Sequence, residues 1–123
     1  MTSCPDCYSQ IGSMARHRQI CLVRNNERLK TWLESLEFWL RRMENHLGQS
    51  YKNVARYAYI GRRDADRQEA AEEHKLAQDM EPQLPKLLAQ LSGYTCERTN
   101  LAQLRANIVR NQMQELRVML RNL

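Results

Sequence analysis

Apolar residues between positions 29 and 47 follow one another in alternating steps of four and three. The positions are Leu29, Leu33, Leu36, Leu40, Met43 and Leu47. A repeat of 3.5 residues is typical of a helix that packs along its length against other helices, in a coiled coil or a bundle. Trp32 and Trp39 widen this apolar face. We therefore expect one long helix from about Asn26 to Ile60, with Gly48 as the place for a kink.

A polar region separates this helix from the rest of the chain. Residues 62–81 contain Leu76 and Met80 as their large apolar residues, which predicts an exposed helix or a flexible connection. Pro82 and Pro85 end the region. A short apolar helix is expected next, closed by Gly93 and carrying Leu84, Leu87, Leu88 and Leu91.

The last helix is expected to start near Asn100, whose side chain can cap it. The Gln103 side chain, at the third helical position, can in turn accept a hydrogen bond from the Asn100 N–H, as in a capping box. Its apolar stripe opens with Leu101, Leu104 and Ile108, and it continues with Val109, Met113, Leu116, Leu120 and Leu123. Neither long helix can bury its stripe alone. The sequence therefore predicts that the two helices pack antiparallel within one chain, pair between chains, or dock onto a larger partner.

Composition agrees with a fold built almost entirely from helices. The 123 residues include only 4 glycines and 3 prolines, and β-branched residues are scarce, which favours helix. We predict an all-α fold, with a small separate module at residues 1–24 and a helical hairpin or bundle at residues 25–123 that has a polar connection near residues 61–85. No apolar run approaches the length needed to span a bilayer, so no membrane partner is expected.

Four residues near the N-terminus have the spacing of a metal clamp, Cys-x2-Cys-x9-His-x3-Cys. A gap of two residues lets both sulfurs of a tight turn face one point, and residues four apart share one face of a helix. Three thiolates and one imidazole make a complete tetrahedral ligand set for Zn²⁺. The sequence therefore predicts one structural zinc ion held by Cys4, Cys7, His17 and Cys21.

Three alternatives to the metal site remain open at this level: a pair of disulfides, a reactive Cys/His pair, and chance spacing. The chain starts without the basic stretch and apolar core of a signal peptide. We therefore expect an intracellular, reducing compartment, the cytoplasm or the nucleus, in which disulfides are rare. Cys96 has no neighbouring ligand in the sequence, and we expect it to be a buried or half-buried apolar residue.

The segment CPDCYSQIGSMARHRQIC, residues 4–21, resembles a shortened Cys2His2 zinc finger of the C2HC type, in which cysteine replaces the last histidine. Ile11 and Met14 occupy the two apolar positions that pack beneath the metal in that family. Nine residues separate Cys7 from His17, where the family has about twelve. The missing residues belong to the hairpin or to the helical turn from which side chains would read bases. The resemblance therefore implies a metal site, but little base-specific reading.

Basic residues suggest a polyanionic or acidic partner. The net charge is +5, from 19 basic and 14 acidic residues, and 15 of the basic residues are arginines, which make forked contacts to phosphate or carboxylate. Residues 51–63 interleave three tyrosines with four cations, a pattern suited to stacking on unpaired bases and to phosphate contacts. Alternatively, these tyrosines rim a core and the arginines pair with nearby aspartates. The residues expected to contact nucleic acid are Arg16, Arg18, Arg56, Arg62 and Arg63.

No residue pattern points to an active site or to a small-molecule substrate. The glycines are far apart, His46 and His74 lie without a second ligand nearby, and the adjacent Glu72 and Glu73 point in different directions on a helix. We therefore expect no enzymatic activity. The first hypothesis is a nucleic-acid-associated protein, and the alternative is an interaction or structural subunit that uses its helical stripes to bind a protein partner or to self-associate.

Overall fold

The computed structural model describes residues 2–123. The elements, in chain order, are β1 (Thr2–Ser3), β2 (Gln10–Ile11), α1 (Met14–Ile20), α2 (Glu27–Tyr59), α3 (Asp64–Met80), α4 (Gln83–Ala89) and α5 (Glu97–Arg121). β1 and β2 form a two-stranded antiparallel ribbon, and the long helices form a bundle. The predicted all-α fold, with a small N-terminal cysteine module, is confirmed.

The long helix α2 forms as predicted. Its N-terminus is capped by Asn26, whose Oδ1 accepts a hydrogen bond from the Leu29 N–H at 3.1 Å, and the helix continues through Gly48. The turn after α2 contains two left-handed residues, Gly61 with φ of 80° and Arg62 with φ of 49°. Glycine adopts this conformation without the steric cost that a Cβ adds, which allows the chain to reverse into α3.

Helix α3 runs antiparallel to α2. The indole of Trp39 donates a hydrogen bond to the Met80 carbonyl at 2.8 Å. Nearer the other end of α2, the Ser50 hydroxyl donates to the Ala70 carbonyl, also at 2.8 Å. Residues later in α2 therefore contact residues earlier in α3, as a tight turn between two helices requires.

The expectation of an exposed helix or a flexible connection at residues 62–81 is wrong, because α3 is part of the core. Its inner face is built from Ala70, Ala77, Met80 and the imidazole of His74, all of them buried. Alanines contribute little apolar area but let two helices approach closely. A search for large apolar residues therefore underestimates how well this helix is packed.

Helix α5 runs parallel to α2, so the expectation of antiparallel packing for these two helices is also wrong. Three side-chain contacts join them, and in each the two residue numbers differ by the same amount. The contacts are Arg98 to Glu37, Arg105 to Glu44, and Tyr51 to the carbonyl of Gln112. Because α3 carries the chain back along the bundle, α5 starts at the same end as α2 and follows its direction.

The buried face of α5 differs from the predicted stripe. Its apolar residues are Ala102, Ala106, Val109, Met113 and Leu116, preceded by the buried Arg98 and Thr99. Leu101, Leu104 and Ile108, which were expected to open the stripe, are exposed on the outer side of the helix. The inner residues follow steps of four and three without interruption, and that register places the three larger residues outside.

The start of α5 also differs from the prediction, which placed its cap at Asn100. The helix begins at Glu97. The Cys96 N–H donates to the Thr99 hydroxyl at 2.9 Å, so this threonine satisfies a backbone donor that would otherwise lack a partner at the helix start. Cys96 itself is half-buried and packs against the core, as expected.

Candidate metal centre

The four predicted ligands converge at one point. Their Sγ and imidazole nitrogen atoms all lie within 4.8 Å of one another. The Cys4 and Cys21 sulfurs are 3.7 Å apart, and the Cys7 sulfur lies 3.2 Å from Nε2 of His17. A disulfide needs sulfurs about 2.05 Å apart, and all four cysteines are free thiols. The chain therefore brings together a Cys3His group that can hold a metal ion, without a disulfide.

Local backbone structure explains how the first two ligands converge. The Cys4 N–H donates to the Ser9 carbonyl at 2.9 Å, and the Tyr8 N–H donates to the Cys4 carbonyl at 2.8 Å. Tyr8 completes this turn in the left-handed region, with φ of 67°. The turn brings Cys4 and Cys7 to the same side, as their spacing predicts.

The other two ligands are positioned by α1. The Cys21 N–H donates to the His17 carbonyl at 2.8 Å, so the two residues lie one helical turn apart on one face. Asn25 fixes the end of this helix, because its side-chain amide donates to the carbonyls of Cys21 and Arg18 at 2.9 and 3.1 Å. Asn25 could not be predicted from the sequence, since an asparagine after a short helix has no distinctive spacing.

The thiols of this cluster compete for negative charge. Burial disfavours the Cys4 thiolate, but the N–H groups of Cys7 and Asp6 and the neighbouring thiols outweigh it, so the pKa of Cys4 is lowered. Burial and the two other thiols raise the pKa of Cys21 to about 11. Protein groups alone therefore favour one thiolate over several. A metal cation bound here would supply the positive charge that allows more than one thiolate to form at this point.

Arg98, at the start of α5, joins the cysteine module to the bundle. Its guanidinium donates to both Glu37 carboxylate oxygens, at 2.9 and 2.5 Å, and to the Asp6 carbonyl at 2.9 Å. It also lies 5.0 Å from the centre of the Tyr8 ring. Its backbone N–H donates to the Cys7 carbonyl at 2.8 Å. The turn that carries the first two ligands is therefore anchored to α2 and α5 through one residue.

Sequence reasoning missed Arg98 because its partners lie about 60 and 90 positions away along the chain. The adjacent carboxylate raises the pKa of this guanidinium, although burial opposes the effect. Such a charged group is stable at a buried site only with a hydrogen-bonded partner. An arginine in a helical stretch with many exposed arginines gives no sign in the sequence that it differs from the others.

The five arginines expected to contact nucleic acid fall into two groups. Arg16 and Arg18 are exposed on α1, while Arg56, Arg62 and Arg63 are exposed around the far end of α2. Tyr8, in the cysteine module, contacts Glu37, and the distance along α2 from Glu37 to Arg56 is about 30 Å at about 1.5 Å per residue. The structure therefore separates the groups instead of joining them in one patch.

Arg62 borders a surface depression at this far end. The depression is lined by Tyr57, Ala58, Arg62, Asn122 and Leu123. Two further arginines of α5, Arg117 and Arg121, are exposed near the end of that helix. They could not be predicted from the sequence, because their position near Arg62 depends on the parallel arrangement of α2 and α5.

The two histidines outside the cysteine module, His46 and His74, have structural partners. His46 is half-buried, and its Nδ1 lies 2.6 Å from a carboxylate oxygen of Glu73. His74 is buried, and its Nε2 lies 3.0 Å from the Met113 carbonyl. Both contacts join α3 to a neighbouring helix. Both histidines therefore have a structural role in the bundle.

Comparisons with protein-family models, with curated proteins and with solved structures give no match for this chain. Among residues 2–123, no helix is both long enough and apolar enough to cross a bilayer.

Proposed function

We propose that this protein is a non-enzymatic, zinc-binding helical protein that binds the backbone of a nucleic acid. Two parts of the proposal have separate support, the ligand set for zinc and the arginines for the nucleic acid.

The zinc assignment is supported by the chemistry and spacing of the ligand atoms. Thiolate and imidazole are the ligands that zinc prefers at tetrahedral structural sites, and a Zn–S bond of about 2.3 Å with tetrahedral angles separates two sulfurs by roughly 3.8 Å. The Cys4 and Cys21 sulfurs are 3.7 Å apart. Four protein ligands leave no open position for a substrate, which supports a structural ion and not a catalytic one.

Metal analysis of the purified protein under reducing conditions tests this assignment. We expect one zinc per chain in the wild type, loss of the metal in Cys7→Ser, and full retention in Cys96→Ser. The second variant is a matched control, because Cys96 is outside the cluster of ligands. Zinc near zero in the wild type, or unchanged zinc in Cys7→Ser, rejects the assignment.

The nucleic-acid assignment rests on one observation, the concentration of exposed cations and aromatic groups at the far end of the bundle. Arg56, Arg62 and Arg63 are exposed there, next to a Tyr59 side chain that is 87% exposed. Among the described residues, the three ion pairs involve other side chains. Cations without a carboxylate partner are free to contact phosphate, and an exposed ring can stack on an unpaired base.

Binding of this kind is expected to be strong relative to its sequence specificity. Helix α1 has only 7 residues, which leaves little helix for reading bases in a groove. Phosphate contacts are independent of sequence, and they release bound counterions, so affinity falls steeply as salt increases.

Fluorescence anisotropy with labelled 20-nucleotide single strands and 20-base-pair duplexes, over a series of salt concentrations, tests the proposal. We expect Arg62→Gln/Arg63→Gln to lower the slope of log K against log salt by roughly 1.4 to 1.8, since each phosphate contact contributes about 0.7 to 0.9. Arg41→Gln/Lys75→Gln removes the same charge from other exposed positions on α2 and α3. This control is expected to leave the slope nearly unchanged. No binding at low salt, or equal slopes for the two double variants, contradicts the proposal.

The alternative function is that of an interaction subunit in which zinc anchors the N-terminal module and the helices bind protein. A specific observation favours it: a row of exposed apolar residues on α5, formed by Leu101, Leu104 and Ile108.

A further inference from the structure

The surface depression beside Arg62 lies where the end of α2 meets the end of α5. Its lining residues are Tyr57 and Ala58 from the last turn of α2, Arg62 from the turn after it, and Asn122 and Leu123 from the segment after α5. Its volume is about 320 Å³, within the range of small-ligand sites in proteins. The depression therefore has space for one nucleobase.

The lining of the depression combines apolar and polar groups. Ala58, Leu123 and the half-buried ring of Tyr57 supply apolar surface, while Arg62 and Asn122 supply polar atoms. A nucleobase has the same division, with two flat apolar faces and a polar edge. An aromatic ring binds a base face by stacking, and an asparagine amide has both donors and an acceptor for the edge of a base. The lining therefore suits a base better than it suits a phosphate group.

Cations surround the depression. The exposed arginines at this end of the bundle are Arg56, Arg62, Arg63, Arg67, Arg117 and Arg121. The acidic groups at the same end are the side chains of Asp64, Asp66 and Glu115 and the carboxyl group of Leu123. Arginines are therefore in excess, and among the described residues the three ion pairs involve other arginines. Phosphates on either side of a bound base can then contact cations.

We propose that the depression binds one unpaired base of a single-stranded nucleic acid, while arginines around it contact the neighbouring phosphates. This inference rests on the proposed function, to which it adds the strand state of the ligand. A base within a duplex is paired and stacked between its neighbours, and it must be flipped out before it can enter a pocket, which costs free energy. Single strands are therefore expected to bind more tightly than duplexes of the same sequence.

A strand without bases tests the proposal on the intact, metal-loaded wild type. Fluorescence anisotropy compares a 20-nucleotide deoxythymidine strand with an abasic strand that has the same number of phosphates. We expect the strand with bases to bind about 5- to 100-fold more tightly, the range that stacking of one base on an aromatic ring provides. The slope of log K against log salt should be the same for both strands, because it depends on the phosphate contacts.

Substitutions test the position of the base. Tyr57→Leu keeps an apolar side chain but removes the ring, so it is expected to lose most of the difference between the two strands without a change in the salt slope. Asn122→Ala alters an exposed residue and should weaken binding of the strand with bases by about 2- to 10-fold, the effect of one hydrogen bond. Tyr94→Leu is the matched control, because Tyr94 is also half-buried but lies just before α5, at the other end of the bundle. Circular dichroism checks that each variant is folded.

Three results overturn the proposal: equal binding of the strands with and without bases, a Tyr57→Leu variant that keeps the full difference, and loss of the difference in Tyr59→Leu alone. The last result would place the base on the ring of Tyr59, which is 87% exposed and outside the depression. In each of these cases a salt slope that still falls in Arg62→Gln/Arg63→Gln leaves the proposed backbone binding intact. Absence of any binding at low salt rejects both assignments.

Discussion

At the scale of single residues, Arg98 has the widest range of contacts. It contacts the carboxylate of Glu37 on α2, the turn that carries Cys4 and Cys7, and the ring of Tyr8. The Arg105–Glu44 pair one heptad further along has the same chemistry but is more exposed, with side-chain exposures of 25% and 36% against 9% and 15% for Arg98 and Glu37. The two pairs therefore form a matched comparison of a buried and an exposed ion pair.

We expect Arg98→Gln to lower the free energy of unfolding by roughly 2–3 kcal/mol, because Glu37 then loses its charged hydrogen-bond partner at a buried site. Arg105→Gln is expected to cost less than about 1 kcal/mol, since water replaces the lost contact. Urea unfolding measures both values. Chelator competition should also give a metal affinity that is about 10- to 100-fold weaker in Arg98→Gln. Equal effects of the two substitutions would mean that Arg98 does not couple the cysteine module to the bundle.

Tyr51 provides a second test at the residue scale. Its pKa is raised to about 12 by burial and by the neighbouring Glu115, above the ordinary value near 10. The folded state therefore favours the neutral phenol, and the stability it contributes is present below pH about 10 and is lost as the pH rises through about 12. Ultraviolet titration of tyrosinate should show one late transition that disappears in Tyr51→Phe. Loss of an earlier transition in that variant would contradict this assignment.

At the scale of elements, the sequence predicted the long helix α2 well and the register of α5 poorly. In α2 every inner position from Leu29 to Leu47 is a large apolar residue, so the repeat has one interpretation. In α5 the inner face begins with Ala102 and Ala106, while larger leucines lie outside. Residue size alone then predicts that the wrong face of α5 is buried. Which face is buried depends on how α5 packs against α2 and α3.

By contrast, the convergence of the four candidate metal ligands could be predicted from the sequence, because it depends on local structure. Their convergence depends on a local turn and on one turn of helix, both fixed by spacings of two and three residues. Arg98, α3 and the parallel direction of α5 depend on contacts between residues distant in the chain. A single sequence contains no direct record of such contacts.

A pair of alanine substitutions distinguishes the two faces of α5. Leu116→Ala is expected to lower the free energy of unfolding by about 2–5 kcal/mol, because Leu116 is fully buried and its truncation leaves a cavity. Leu104→Ala is expected to change it by no more than about 0.5 kcal/mol at dilute protein concentration. Thermal or urea unfolding of both variants makes the comparison. Similar losses of stability for the two variants would mean that Leu104 is buried in the core, as the apolar stripe predicted from the sequence requires.

At the scale of the whole molecule, the cysteine module and the bundle differ in what stabilises them. The bundle has a continuous apolar core along α2, with six positions from Leu29 to Leu47 fully buried. The module has a ribbon of two residues per strand and a helix in which no residue is buried. Such a segment cannot offset the conformational entropy of its own ordering without a metal ion.

We therefore expect removal of the metal by a chelator to unfold the module and to leave most of the helical signal in circular dichroism. Helix α1 contributes only 7 residues, whereas α2 alone has 33. The first turn of α5 should also loosen, because the Arg98 N–H and guanidinium then lose the carbonyls of Cys7 and Asp6. Hydrogen exchange can detect this as faster exchange at residues 97–100 with unchanged protection around Leu36 and Val109. Loss of most helical signal on chelation would instead mean that the metal organises the bundle as well as the module.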